Sequence, residues 1–130
     1  MTKQVVGGSQ PAGAYSPGIV AEGRFVYVSG QGSLRDGEVA GDTIEEQTQI
    51  VLDNVAAVLE SAGAGLADVV QCRVFLADTA DFRAMDRVYA QVFPPPLPAR
   101  TTVGVALPLP GMLVEIDCVA VLPTGADGRP

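Results

Sequence analysis

Residues 69–77 read Val-Val-Gln-Cys-Arg-Val-Phe-Leu-Ala, an alternating β-branched pattern that predicts a strand. Successive side chains of a strand point to opposite faces, so this strand has one apolar face and one mixed face. The apolar face carries Val70, Cys72, Val74 and Leu76, and the mixed face carries Gln71, Arg73 and Phe75. A helical pattern follows at once, which places a strand and a helix next to each other in the fold.

This helix is predicted to begin at Asp78 or Thr79, because both residue types cap helix N-termini well. Residues 94–98 read Pro-Pro-Pro-Leu-Pro and must break it. Its apolar positions follow the helical period and form a stripe of Phe82, Met85, Tyr89, Val92 and Phe93.

A longer helix is predicted from residue 43 to residue 62. Thr43 and Glu46 fit a capping box, with Asp42 as a competing cap, and Gly63 ends the helix. The apolar positions again follow the helical period and are Ile44, Val51, Val55, Val58, Leu59 and Ala62.

Further strands are predicted over residues 24–31, 100–106 and 113–122, with a short one at residues 38–39. The order of elements indicates an α+β fold in which two helices cover one face of a mixed sheet. The strands carry apolar residues at both odd and even positions, so the sheet face that the helices do not cover is also partly apolar. Such a face predicts self-association into a homo-oligomer.

The composition bounds the chemistry. The chain has 130 residues, for which we expect one domain over residues 1–130 with flexible ends at residues 1–13 and 123–130. It contains no His, which excludes Ser-His-Asp and Cys-His nucleophile systems and removes the commonest metal ligand. Cys72 and Cys118 alone cannot form a thiolate zinc site, and their alternation with apolar residues indicates core positions. We therefore expect no metal site, and any chemistry must use Arg, Lys, carboxylates, hydroxyls, thiols or backbone groups.

The charge distribution bounds the partners. Eight Lys and Arg stand against 15 Asp and Glu, which gives a formal net charge of −7, and the cations are scattered. Nucleic-acid binding needs concentrated positive charge, so we expect no nucleic-acid partner. The apolar runs are too short for a membrane span and the first residues do not resemble a signal peptide, so we expect a cytoplasmic protein.

Arg100 and Glu115 stand in strands where burial is expected. A buried charge is costly unless it is paired, so a cation and a carboxylate on neighbouring strands have a reason to meet. A structural ion pair at a sheet rim or subunit contact is the alternative to a catalytic pair.

Two other segments contain candidate binding groups. Ser29-Gly30-Gln31-Gly32 offers close backbone approach to an anion or carbonyl oxygen, although an ordinary turn has the same pattern. Tyr15 is either a hydrogen-bonding lid or a loop anchor.

Several of these segments resemble the RidA family of reactive intermediate (imine) deaminases. The resemblance runs from about residue 14 to residue 121, and its most specific part is Pro98-Ala-Arg-Thr-Thr-Val103 with Val114-Glu-Ile116. The other matching segments are Ala14-Tyr-Ser-Pro17, Phe25-Val-Tyr-Val-Ser-Gly-Gln31, residues 47–54 and residues 63–78. The resemblance implies a chorismate-mutase-like fold and a homotrimer with a central barrel and sites between subunits.

It also implies a function and a site. The family hydrolyses 2-imino or enamine acids to 2-keto acids and ammonia, without a cofactor. Arg100 matches the arginine that binds the substrate carboxylate, and Glu115 matches the glutamate thought to orient or activate water. The positions that match cleft-lining residues are Tyr15, Ser29, Gly30 and Thr102.

Three positions depart from the family pattern. Thr102 stands where some members have Cys, Asp86 stands where Asn is common, and the loop at residues 94–98 is short and stiff. Two alternative functions are a trimeric module that binds small carboxylates without turnover, and RNA cleavage. The latter fits poorly with the net charge of −7.

Overall fold

The computed structural model describes residues 3–123. Its two α-helices are α1 (Ile44–Ser61) and α2 (Phe82–Val92), and no helix in the described residues is long and apolar enough to cross a membrane. The predicted capping box is confirmed: Thr43 Oγ1 accepts a hydrogen bond from the backbone N–H of Glu46, whose carboxylate accepts one from Thr43 N–H. The second helix is preceded by a short 3₁₀ turn that Asp78 caps.

The strands form one central sheet and two small ribbons. They are β1 (Lys3–Val6), β2 (Gly18–Ala21), β3 (Phe25–Gly32), β4 (Leu34–Arg35), β5 (Glu38–Val39), β6 (Val69–Leu76), β7 (Ala99–Gly104) and β8 (Val114–Val121). The central sheet has the order β3-β8-β6-β7, in which only β6 and β7 are parallel. The predicted mixed sheet is therefore confirmed, and β7 lies at its edge.

The two faces of the central sheet differ. Cys72 is in register with both Cys118 and Arg100, and these side chains lie on the core face against the helices. The opposite face is called the outer face below, and Tyr27 on it is 76% exposed. The outer face includes Phe25, Tyr27, Gln71, Arg73, Phe75, Thr101, Val103, Glu115, Asp117 and Val119. The helices thus cover one face, as predicted.

The N-terminal segment is tied to the fold more than expected. Residues 1–13, expected to be a flexible end, include β1, which pairs with β2. The buried Lys3 Nζ donates to the carbonyl oxygens of Ala67, Val69 and Pro96 at 3.3, 2.8 and 3.0 Å. Of the C-terminal end expected over residues 123–130, residues 124–130 lie outside the described residues.

Candidate functional site

Arg100 lies near the start of β7 and projects from the core face, where its side chain is fully buried. Its Cζ lies 4.7 Å from the ring centre of Tyr89, 5.0 Å from that of Tyr15 and 5.5 Å from that of Phe82. Aromatic faces attract cations, so these three rings, called the aromatic cage below, stabilise the buried guanidinium.

Asp86 is the charged partner of Arg100. Arg100 Nη1 donates to Asp86 Oδ1 at 2.8 Å and to the carbonyl oxygen of Ala14 at 3.3 Å. The same Oδ1 accepts the backbone N–H of Ala14 at 2.9 Å. A buried ion pair is tolerated when further hydrogen bonds complete it, and this pair has them on one edge of the guanidinium.

The pairing of Arg100 with Glu115 that we expected from neighbouring strands is wrong within one chain. Strand β6 lies between β7 and β8, so the two strands are two spacings apart, about 10 Å, and the two residues are also offset by three positions along them. Glu115 is in register with Phe75 on the outer face, whereas Arg100 is in register with Cys72 on the core face. The crossover through α2 makes β7 run parallel to β6 and places it at the sheet edge, away from β8.

The other edge of the guanidinium is unpaired in the described part of the chain. Nε and Nη2 of Arg100 are buried and have no hydrogen-bond partner among residues 3–123. Thr102, two residues further along β7, has a buried Oγ1 that is likewise unpartnered within this range. The Nε–H and one Nη2–H bond of an arginine are parallel, which is the geometry that a carboxylate accepts in a bidentate contact. These two buried donors therefore have the geometry that a small carboxylate needs, and the Asp86 contact lies on the opposite edge.

Tyr15 belongs to a loop that covers Arg100. Its hydroxyl accepts a hydrogen bond from Ala12 N–H at 3.0 Å, while its ring is part of the aromatic cage. Ser16 ties the loop to the start of β7, because its N–H donates to Pro98 O at 3.0 Å. The neighbouring Gly13 lies close to the ion pair: a Cβ there would lie 2.9 Å from Asp86 Oδ1 and 3.1 Å from Arg100 Nη2.

Ser29, Gly30 and Glu115 form a second group on the outer face. The register between β3 and β8 shifts between Val28 and Gln31, so Ser29 and Gly30 form an irregularity in β3. A Cβ on Gly30 would collide with Oε2 of Glu115, so the carboxylate lies directly against the glycine backbone. Ser29 and Gly30 also line an open groove of about 630 Å³.

The groove contains an ion pair that the sequence analysis did not anticipate. Arg73 Nε donates to Asp117 Oδ1 at 3.0 Å across β6 and β8, and both side chains line the groove. The two residues are directly opposite each other in the register. The outer face therefore combines apolar side chains with a polar groove.

The six predicted site residues thus fall into two groups. Tyr15, Arg100 and Thr102 belong to β7 and the loop that covers it, whereas Ser29, Gly30 and Glu115 lie on the outer face beside β3. Asp86 was noted only as a departure from a family pattern, although its spacing held a signal. It lies four residues after Phe82 and three before Tyr89, so a carboxylate shares the face of two stripe residues.

Both cysteines are core residues, as predicted. Cys72 and Cys118 are buried, free and directly opposite each other in the register of β6 and β8. Burial raises the pKa of the Cys72 thiol to about 12 and raises that of Cys118 as well. A thiol that stays protonated is a poor nucleophile, so neither cysteine is a candidate for covalent chemistry.

Comparisons with known proteins identify relatives along most of the chain. The family model described as endoribonuclease L-PSP matches residues 7–122. A RutC family protein from Synechocystis is 42% identical over 131 residues, which cover 95% of this chain and 100% of that protein. The chloroplastic Reactive Intermediate Deaminase A of Arabidopsis thaliana is 41% identical over 113 residues, which cover 85% of this chain and 59% of that protein. A crystal structure of an Entamoeba histolytica protein described as a putative endoribonuclease L-PSP superposes with a TM-score of 0.72 at 40% identity, covering 92% and 99% of the two chains.

Proposed function

The chain belongs to the RidA family, which is also described as endoribonuclease L-PSP, and on this premise we propose that it hydrolyses reactive 2-imino and enamine acids to 2-keto acids and ammonia. The observation that carries the proposal is the unpaired edge of Arg100, where two buried donors have no partner among residues 3–123. A reactive intermediate deaminase among the relatives, 41% identical, supports the reaction class.

Arg100 anchors the substrate through its carboxylate. A carboxylate on Nε and Nη2 satisfies donors whose burial is otherwise costly, so binding removes a penalty as well as forming two charge-assisted hydrogen bonds. Thr102 Oγ1 supplies a further hydrogen-bonding group on the same strand. Lysine cannot offer two parallel donors, which explains the choice of arginine.

The chemical step needs little from the protein, because an imine carbon is already electrophilic. The oxygen of a water molecule adds to that carbon, the C=N electron pair moves to the nitrogen, and one water proton passes through Glu115 to the nitrogen, which gives a carbinolamine. The nitrogen then takes up the hydroxyl proton, the C–N bond breaks, and ammonia leaves as the C=O bond forms. Positioning of the substrate and proton transfer through one carboxylate are the two contributions required.

The substrate site is shared between subunits of a homotrimer. Arg100 and Glu115 lie on opposite faces of the sheet in one chain, so a small substrate reaches both only if they come from different chains. The outer face offers a contact surface, because Phe25, Tyr27 and Val103 on it are exposed by 40, 76 and 43%. Three copies joined by this face form the central barrel, which brings the β7 edge of one chain toward Glu115 of the next.

A coupled assay tests the function. An amino-acid oxidase generates a 2-imino acid, and its disappearance is followed with and without this protein. The wild-type protein is expected to accelerate imine loss. The Arg100→Ala protein should leave imine loss at its uncatalysed rate, and Arg100→Lys should raise KM by about tenfold or more. If Arg100→Ala matches wild type, the anchoring role of Arg100 is wrong.

Carboxylate binding without turnover is the second candidate function. It is favoured by the two unpartnered donors of Arg100, because they and the Asp86 contact that orients them belong to one chain and do not involve Glu115. Calorimetric binding of 2-oxobutanoate, together with no acceleration of the loss of any imine, would establish the binding module instead of the enzyme.

A further inference from the structure

We infer that Asp86 is a positioning residue that also sets charge specificity, so that the site of Arg100 takes acids with a single carboxylate and rejects those with two. The inference rests on the proposed function in one respect only, namely that Arg100 binds the carboxylate. It starts from the contact of 2.8 Å between Arg100 Nη1 and Asp86 Oδ1.

The first part of the inference concerns orientation. Nη1 has two hydrogens, and the contacts to Asp86 and to Ala14 O use both of them. The guanidinium plane is thereby fixed, and the Nε and Nη2 edge is the one left for a ligand. Asp86 is itself held, because its Oδ1 also accepts from Ala14 N–H. The direction in which the carboxylate binds is thus decided by Asp86 through Arg100.

The second part concerns charge. Arg100 is fully buried and Asp86 is only 17% exposed, so water screens their interaction weakly. Together they carry no net charge, and a bound monocarboxylate leaves the cluster at −1. A dicarboxylate brings a second negative charge into a site that Asp86 has already neutralised, inside a chain with a net charge of −7. The aromatic cage offers that second carboxylate no cation, and its only donors are the hydroxyls of Tyr89 and Tyr15.

The variant Asp86→Asn separates charge from hydrogen bonding. An asparagine Oδ1 accepts the same two hydrogen bonds from Arg100 and Ala14, whereas the negative charge is lost. Glu60→Gln is a matched control, because it also removes one negative charge but lies at an exposed position near the end of α1. If Asp86 had only a structural role, its replacement would leave the affinity for carboxylates unchanged or would weaken it.

Calorimetry with 2-oxobutanoate and 2-oxoglutarate, one and two carboxylates respectively, tests the inference. Wild type should bind the dicarboxylate at least about tenfold more weakly. Asp86→Asn should bind the monocarboxylate about tenfold more tightly than wild type, and its affinity for the dicarboxylate should rise by a larger factor. Glu60→Gln should bind both acids as wild type does. Unchanged or weaker binding of both acids by a folded Asp86→Asn overturns the inference. If that variant does not fold, equal or tighter binding of the dicarboxylate by wild type overturns it.

These measurements do not depend on turnover, so the two proposals fail separately. Binding that follows the expected pattern without acceleration of imine loss leaves the inference standing and removes the enzyme. Imine loss that is accelerated, together with indifference to the charge of residue 86, removes the inference alone. If wild type binds neither acid, the inference falls, whereas the imine assay still decides whether the protein is the enzyme.

Discussion

The variant Gly30→Ala tests the role of Glu115, because it adds a single carbon atom beside the Glu115 carboxylate. A Cβ at this position collides with Oε2 of Glu115, so Gly30→Ala must displace the carboxylate that is proposed to take the water proton. Because misplacing a catalytic group by about 1 Å can cost around 100-fold in rate, kcat for imine hydrolysis should fall by about that factor. Substrate affinity, which depends on Arg100, should change little.

Gly7→Ala is the control for this prediction, because a Cβ on Gly7 meets nothing within 4 Å. It should keep the wild-type kcat. Thermal unfolding of both variants shows whether either has lost stability. Wild-type kcat in a folded Gly30→Ala would show that the position of the Glu115 carboxylate does not matter to the reaction.

At the residue scale, the sequence identified the important charges but not their partners. Arg100 and Glu115 stood out because a charged residue in an apolar strand must be paired. The actual partner of Arg100 is Asp86, from a helix that packs on the core face. Strand order decided this outcome, and strand order depends on a crossover connection rather than on the local pattern around either residue.

At the element scale, Lys3 holds the N-terminal ribbon against the rest of the chain. Its ammonium donates to three carbonyl oxygens, of Ala67, Val69 and Pro96. Lys3→Met keeps a side chain of similar length but leaves these carbonyls without their donor, so the free energy of unfolding should fall by about 1–3 kcal/mol. Urea denaturation measures the difference, and an unchanged midpoint would contradict the role given to Lys3.

The same residue predicts a pH dependence. Burial lowers the pKa of Lys3 below its ordinary 10.5, although the nearby Asp68 partly opposes the shift. Above the lowered pKa and up to 10.5, the unfolded chain therefore binds more protons at this position than the folded chain. The stability difference between wild type and Lys3→Met should thus grow as the pH rises from neutral toward 10.5. A difference that shrinks over this range would show that the folded state raises the pKa instead.

Local signals determined which elements were predictable. The capping box of Thr43 and Glu46 and the glycine after α1 mark that helix within its own sequence, and both were predicted. The ribbon of β1 and β2 was not predicted, because its four-residue strands are short and Lys3 is bound by carbonyls 64–93 residues away. Contacts between residues so far apart in the chain produce no periodic pattern in the sequence.

At the scale of the whole molecule, the outer face predicts the assembly. The chain has a mass of 13.4 kDa, so a homotrimer sediments at about 40 kDa. Tyr27→Glu places a charge at the most exposed aromatic residue of this face and should yield monomers. Val58→Glu places the same charge on α1, at a position 37% exposed, and should leave the trimer intact. A wild-type mass of 13.4 kDa would exclude both the trimer and a shared site.

The central claim is a deaminase whose site takes Arg100 from one chain and Glu115 from another. Mixing the variants Arg100→Ala and Glu115→Gln by joint unfolding and refolding tests it most directly. Each variant alone should be inactive in imine hydrolysis, whereas random mixing restores both wild-type residues in about one quarter of the shared sites. The mixture should therefore recover about one quarter of the wild-type activity. No recovery in a mixture that is folded and trimeric would contradict the shared site.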